Sequence, residues 1–220
     1  MNPNQILSTV DHTLLTQTAT WEQIARLCEE GVEAGVASVC IPSSYVRPAA
    51  DYLAGRLPVC TVIGFPNGYS TSAAKCFEAS EAVQNGAAEI DMVIHLGMVK
   101  QGHFADVGRE IERVKRACDG RLLKVIVEAC LLTLDEKKAL CRVVSESGAD
   151  FIKTSTGFST GGATVEDVRL FREICAKEVR IKAAGGIRTL EDAVALLSTG
   201  ADRLGSSSLV GICTQAAGVR

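Results

Sequence analysis

The stretch Gly148-Ala149-Asp150-Phe151-Ile152-Lys153 reads as a helix end, a tight turn and the start of a β-strand. Glycine suits the left-handed residue that closes a helix, and the small residue after it begins a short αβ connection. The same pattern returns as Gly35-Val36-Ala37-Ser38-Val39-Cys40, Gly86-Ala87-Ala88-Glu89-Ile90-Asp91 and Gly200-Ala201-Asp202-Arg203-Leu204-Gly205. Extending the pattern places strands at Ile6–Asp11, Ser38–Ile41, Val59–Phe65, Glu89–Ile94, Leu123–Ala129, Phe151–Ser155, Arg180–Ala184 and Arg203–Ser206. Between them apolar residues recur at helical spacing, as in Phe104, Val107, Ile111 and Val114. Eight such units fit an α/β fold, a (β/α)8 TIM barrel forming a single domain over residues 1–220.

Composition agrees with that architecture. The chain of 220 residues is 47% hydrophobic but only 5% aromatic, which is the aliphatic bias of a parallel sheet covered by helices. A net charge of −3 without a basic run argues against nucleic acid or an anionic membrane as partner. Nine cysteines, odd in number and scattered through apolar segments, read as reduced thiols. With no basic leader and no apolar run of membrane-spanning length, a cytoplasmic location is expected.

Registry sorts the side chains. Because residues alternate across a strand, the last residue of each junction points the same way, and those residues are Cys40, Asp91, Lys153 and Gly205. The residues before them, Val39, Ile90, Ile152 and Leu204, are aliphatic and suit the face covered by helices. The polar set therefore faces the barrel interior. Lys182, between Ile181 and Ala183, obeys the same rule.

Two lysines in one barrel form a reactive pair. Ammonium groups about 6 Å apart at an effective dielectric near 20 repel by roughly 3 kcal/mol, enough to bring one amine toward neutrality. A neutral amine attacks a carbonyl and forms a Schiff base, whose protonated imine withdraws electrons from the neighbouring carbon. Asp91 is placed to move protons for that chemistry. The competing structural reading has both lysines reaching the rim to pair with acids.

Glycine-rich loops after the sixth, seventh and eighth strands (Ser155-Thr156-Gly157, Gly185-Gly186 and Gly205-Ser206-Ser207-Ser208) suggest a phosphate cradle. Backbone amides approach an anion closely there, and a helix beginning near Ser207 would point its amide end at it.

Together these segments resemble the deoxyribose-phosphate aldolases, a family of class I, metal-independent aldolases. The resemblance runs through Val10-Asp11-His12-Thr13-Leu14-Leu15, Gly64-Phe65-Pro66-Asn67-Gly68, Glu89-Ile90-Asp91-Met92-Val93 and Val125-Ile126-Val127-Glu128. It is most specific in Phe151-Ile152-Lys153-Thr154-Ser155-Thr156-Gly157-Phe158 and Lys182-Ala183-Ala184-Gly185-Gly186-Ile187-Arg188-Thr189. The resemblance implies that Lys153 forms the Schiff base, Lys182 tunes it and Asp91 donates and accepts protons. It also implies a phosphate pocket at Gly157, Gly185, Gly186, Ser207 and Ser208, with Asp11 and Thr13 near the substrate hydroxyls and Asp11 positioning Lys182 or a water. The implied reaction cleaves 2-deoxy-D-ribose 5-phosphate reversibly to acetaldehyde and D-glyceraldehyde 3-phosphate, without cofactor or metal, in a homodimer. Ala129 departs from the threonine often found after the fifth-strand glutamate.

Other readings compete. His12, His95 and His103 suggest a zinc-dependent aldolase, and Asp91 with His95 has an i, i+4 spacing, but that spacing serves a helix and this segment reads as strand and loop. Cys40, inward by registry, reads as an apolar filler that aldehydes could modify. Lys124, near the amino end of the fifth strand, is expected to reach toward solvent, and Glu128 either supports the site by hydrogen bonding or forms a structural ion pair. A flavin-dependent barrel or a non-catalytic sugar-phosphate binder would share the glycine loops without needing both inward lysines.

Overall fold

The four junction glycines do turn the chain from helix to strand, with φ of 64° at Gly35, 104° at Gly86, 77° at Gly148 and 122° at Gly200. A side chain at such φ clashes with its own backbone, so glycine is the residue that permits the short connection. The computed structural model describes residues 1–216. Its strands are β1 (Val10–Thr13), β2 (Ser38–Ile41), β3 (Val59–Ile63), β4 (Glu89–Val93), β5 (Leu122–Ile126), β6 (Phe151–Lys153), β7 (Arg180–Ala184) and β8 (Arg203–Ser206). Each pairs in parallel with the next, and β8 closes on β1. The expected (β/α)8 barrel is the observed one.

The helices are α1 (Pro3–Leu7), α2 (Trp21–Ala34), α3 (Val46–Leu53), α4 (Ser72–Gln84), α5 (Leu96–Lys100), α6 (Phe104–Ala117), α7 (Leu134–Glu146), α8 (Val165–Ile174), α9 (Leu190–Thr199) and α10 (Leu209–Ala216). Threonines open several of them: the hydroxyls of Thr133, Thr164 and Thr189 accept from the amides of Glu136, Asp167 and Asp192. Such caps satisfy amides that the first turn leaves free. Val39, Ile90, Ile152 and Leu204 are fully buried in the shell between sheet and helices, on the face registry assigns them. Among the described residues no helix is long and apolar enough to cross a membrane, and all nine cysteines are free.

One strand expectation is corrected. Residues expected to start a strand at Ile6 instead form α1, and β1 begins only at Val10. Asn2 and Gln5 exchange side-chain bonds in a capping box, with Pro3 in the first helical position. That local chemistry outweighs the strand propensity of Ile6 and Leu7, whose side chains are buried in the core.

A buried ion pair links α4 to α6. The Lys75 ammonium, fully enclosed, donates to the Val93 carbonyl at 2.8 Å and to Glu110 Oε1 at 2.9 Å. Glu110 also accepts from the His95 amide at 3.2 Å, so α4, α6 and the end of β4 are tied at one point. The chain then doubles back through Gly68 at φ 75°, where an added methyl would lie 2.0 Å from the Ile94 carbonyl oxygen. We expect Gly68→Ala to lower unfolding free energy by about 2 kcal/mol or more, from combined backbone strain and overlap. Urea denaturation measures this, and an unchanged midpoint would mean that the loop yields without cost.

Candidate active site

Register brings the charged residues to the barrel axis. Lys153 of β6 pairs with Lys182 of β7, Lys182 with Arg203 of β8, Lys124 of β5 with Asp91 of β4, and Asp11 of β1 with Gly205 of β8. Residues opposite one another in register share a face, so all of these side chains enter the interior.

Asp91 is the centre of the cluster. Its Oδ2 accepts from Lys153 at 2.7 Å and from Lys182 at 2.6 Å, while its Oδ1 accepts from Lys124 at 2.8 Å. Lys182 also bonds Asp11, which takes Arg203 at 2.5 Å and the Ser38 hydroxyl at 2.8 Å on its other oxygen. Lys124 is completed by Glu89 at 2.6 Å. Thus Lys124, Lys153, Lys182 and Arg203 face Asp11, Glu89 and Asp91, four cations against three carboxylates. Isolated buried charges cost several kcal/mol each, and mutual pairing offsets that cost.

The electrostatics follow from the contacts. Burial opposes ionisation of Asp91, but the ammonium groups of Lys124, Lys153 and Lys182 outweigh it and hold the carboxyl well below the usual range. Asp11 is likewise lowered, against its burial, by Lys182, Lys124 and Arg203. For Lys182 burial disfavours the ammonium, yet Asp11 and Asp91 raise its pKa. Burial raises the Cys60 thiol, which donates to Asp91 Oδ1 at 3.2 Å.

Of the three inward lysines, Lys153 alone lines the cavity at the carboxyl end of the strands. That cavity of about 530 Å3 is bounded by Thr13, Thr156, Gly157, Phe158, Gly185, Gly186, Arg188, Ser207 and Ser208. Every residue expected in the phosphate pocket lies on it. Two loop contacts build the cradle. Gly162 approaches so closely that a methyl there would lie 2.2 Å from the Gly185 carbonyl oxygen, which also accepts from the Ala163 amide at 3.0 Å. The Ser206 hydroxyl accepts from the amides of Ser208 and Leu209, each at 3.2 Å, shaping the entry to α10. The positive end of α10 favours an anion at that place. Thr13 is half-buried, its hydroxyl donating to the Asp11 carbonyl at 2.8 Å.

Lys124 requires correction: it is fully buried at the centre of the cluster and does not reach solvent. Flanked by Leu123 and Val125, it satisfies the rule that singled out Lys182, and that signal was legible. Glu89 and Arg203 face inward on the same grounds, and Arg188, within the Lys182–Thr189 segment, adds a side chain to the cavity wall that alternation does not predict. The three histidines do not converge: His12 pairs with Glu30, His95 caps α5, and His103 precedes α6. Cys40, Cys60 and Asp91 come together as metal-ligand types do, but Lys124 Nζ lies 3.3 Å from Cys60 Sγ and 2.8 Å from Asp91, where a cation would bind.

The cluster couples stability to acid. Because Asp11 and Asp91 have lowered pKa values in the fold, their stabilisation is complete above the unfolded carboxyl value near 4 and drains away as pH falls below it. Asp11→Asn should therefore unfold with a shallower stability loss than the parent between about pH 5 and pH 3. Urea midpoints across that range test this, and equal acid slopes would contradict it.

Comparison with known proteins places this site in context. Residues 5–215 match the model of the family described as DeoC/LacD family aldolase. A deoxyribose-phosphate aldolase of Streptococcus pyogenes serotype M28 is 57% identical over 212 residues, covering 96% of this chain and 95% of its own. A solved structure described as a putative deoxyribose-phosphate aldolase from Coccidioides immitis is 42% identical, with a TM-score of 0.95 over 99% of this chain and 87% of that one. Another, described as a tetrameric deoxyribose phosphate aldolase from Aeropyrum pernix, is 30% identical, with a TM-score of 0.91 over 100% of this chain and 94% of that one.

Proposed function

The chain belongs to the DeoC/LacD family of aldolases, and from that premise we propose that it cleaves 2-deoxy-D-ribose 5-phosphate reversibly to acetaldehyde and D-glyceraldehyde 3-phosphate, with Lys153 as the Schiff-base residue. The observation that carries this reading is that Lys153, alone of the inward lysines, lines the cavity, while its amine shares one oxygen of Asp91 with Lys182.

Attack requires an unprotonated amine. One positive charge of the cluster lacks a carboxylate, and loss of one proton removes that excess. The Lys153 nitrogen then adds to the C1 carbonyl of the open-chain sugar, and departure of water leaves a protonated imine. Removal of the C3 hydroxyl proton sends the electrons of the C2–C3 bond into the imine, forming an enamine and releasing D-glyceraldehyde 3-phosphate. Protonation at C2 and hydrolysis of the imine release acetaldehyde and restore the lysine. Asp91 Oδ2, within hydrogen-bond reach of both amines, is suited to carry protons between them.

The remaining cavity supports the phosphate assignment. Thr13, Gly157, Gly185, Gly186, Ser207 and Ser208 bound it together with Arg188, whose guanidinium adds a positive charge at the amide-lined end. Asp11 serves as the anchor of Lys182. We place the whole of residues 1–220 in one aldolase domain working in the cytoplasm as a homodimer; the relative described as tetrameric supports self-association, and sedimentation velocity reads its order.

Incubation with 2-deoxy-D-ribose 5-phosphate, borohydride reduction and mass mapping should locate the adduct on Lys153. Lys153→Ala should abolish both adduct and turnover, and Lys182→Met should slow cleavage by roughly 10²- to 10⁴-fold. A folded protein with no lysine adduct would sink the Schiff-base reading, and sugar-phosphate binding without turnover would favour a binder.

A further inference from the structure

We propose that Glu128 is a positioning residue of this reaction: its carboxylate sets the turn Thr156-Gly157-Phe158 and thereby the wall that receives the phosphate end of the substrate. The inference rests on the aldolase reading above.

The chain beyond β5 stays paired with its neighbour, the Val127 amide donating to the Lys153 carbonyl at 3.0 Å and the Ala129 amide to Thr154 at 2.8 Å. Between them Glu128 adopts φ 53° and ψ 61°, a left-handed conformation that residues other than glycine seldom take. Its side chain is 3% exposed, and among the described residues no lysine, arginine or histidine forms an ion pair with it. A strained residue holding a buried carboxylate without a counter-ion needs some compensating contact.

That contact is Thr156. Its amide donates to Glu128 Oε1 at 3.2 Å and its hydroxyl to Oε2 at 2.5 Å, and the same hydroxyl accepts from the Phe158 amide at 3.0 Å. A continuous chain of bonds straps the turn, with Gly157 at its apex in the left-handed region at φ 86°. All three turn residues line the cavity beside Lys153. Gly157 in turn abuts the cradle, since a methyl on Gly185 would lie 3.4 Å from the Gly157 Cα. The Lys153 amine is held by Asp91, which takes no part in this strap. Releasing Glu128 should therefore disturb phosphate recognition and leave the amine chemistry in place.

The test compares 2-deoxy-D-ribose 5-phosphate with unphosphorylated 2-deoxy-D-ribose. Glu128→Ala should raise KM for the phosphorylated sugar by roughly 10- to 100-fold, with kcat changed less, because small displacements at a binding wall have effects of that size. Its kcat/KM on the unphosphorylated sugar should change by less than about threefold, so the preference for phosphate falls. Glu128→Gln, which keeps one acceptor oxygen, should lie between. If the alanine variant does not fold, Thr156→Val, lacking only the hydroxyl, should reproduce the loss of preference, and Thr156→Ser should restore it. Equal losses on both sugars would overturn the proposal and leave Glu128 a purely structural residue. Absence of parent turnover on either sugar would overturn the aldolase reading and this inference with it.

Discussion

One oxygen of Asp91 holds the ammonium groups of Lys153 and Lys182, and the rest of the molecule is arranged so that it can. The arrangement needs the curvature of the barrel, because the carboxylate comes from β4 and its three lysine partners from β5, β6 and β7. Opening the barrel would strand charges in a dry interior, so closure and charge pairing enforce each other. Asp11 and Arg203 extend the network to β1 and β8. Thus the interior that would ordinarily be filled by branched aliphatic side chains is partly ionic here, and the apolar shell under the helices carries the packing.

Much of this was legible in the sequence because strand alternation is a strict geometric rule. The repeated glycine junctions located four strand starts within a residue or two, and alternation then put Cys40, Asp91, Lys153 and Gly205 inside. Lys124 was misjudged for a physical reason. The strands of a barrel are sheared, so a residue's place along its strand does not give its height on the axis. Lys124 pairs with Asp91, while Ile126, two residues further on, pairs with Lys153. No single sequence displays that offset. The α1 error has another origin, a capping exchange between Asn2 and Gln5 that a strand-propensity reading of Ile6 and Leu7 overlooks.

The two halves of the site are built by different means. The amine end depends on charge, held by strands whose backbones are fixed by the ladder. Loops shape the anion end, where glycines allow backbones to touch, as Gly162 touches Gly185, and where side chains such as Ser206 and Glu128 tie the loops down. This division lets loop changes alter what is bound while Lys153 stays in place. It also concentrates backbone strain where hydrogen bonds compensate it.

Below the ionic layer lies Phe151, buried two residues before Lys153 on the same face of β6, with the Arg180 guanidinium 4.0 Å from its ring centre. The same ring has the Arg203 guanidinium 5.7 Å and the Lys124 ammonium 6.0 Å from its centre. An aromatic face attracts cations without carrying a formal charge. The ionic layer therefore rests on a surface that offsets positive charge yet offers the amines no second carboxylate, and Asp91 stays the acceptor that Lys153 and Lys182 share.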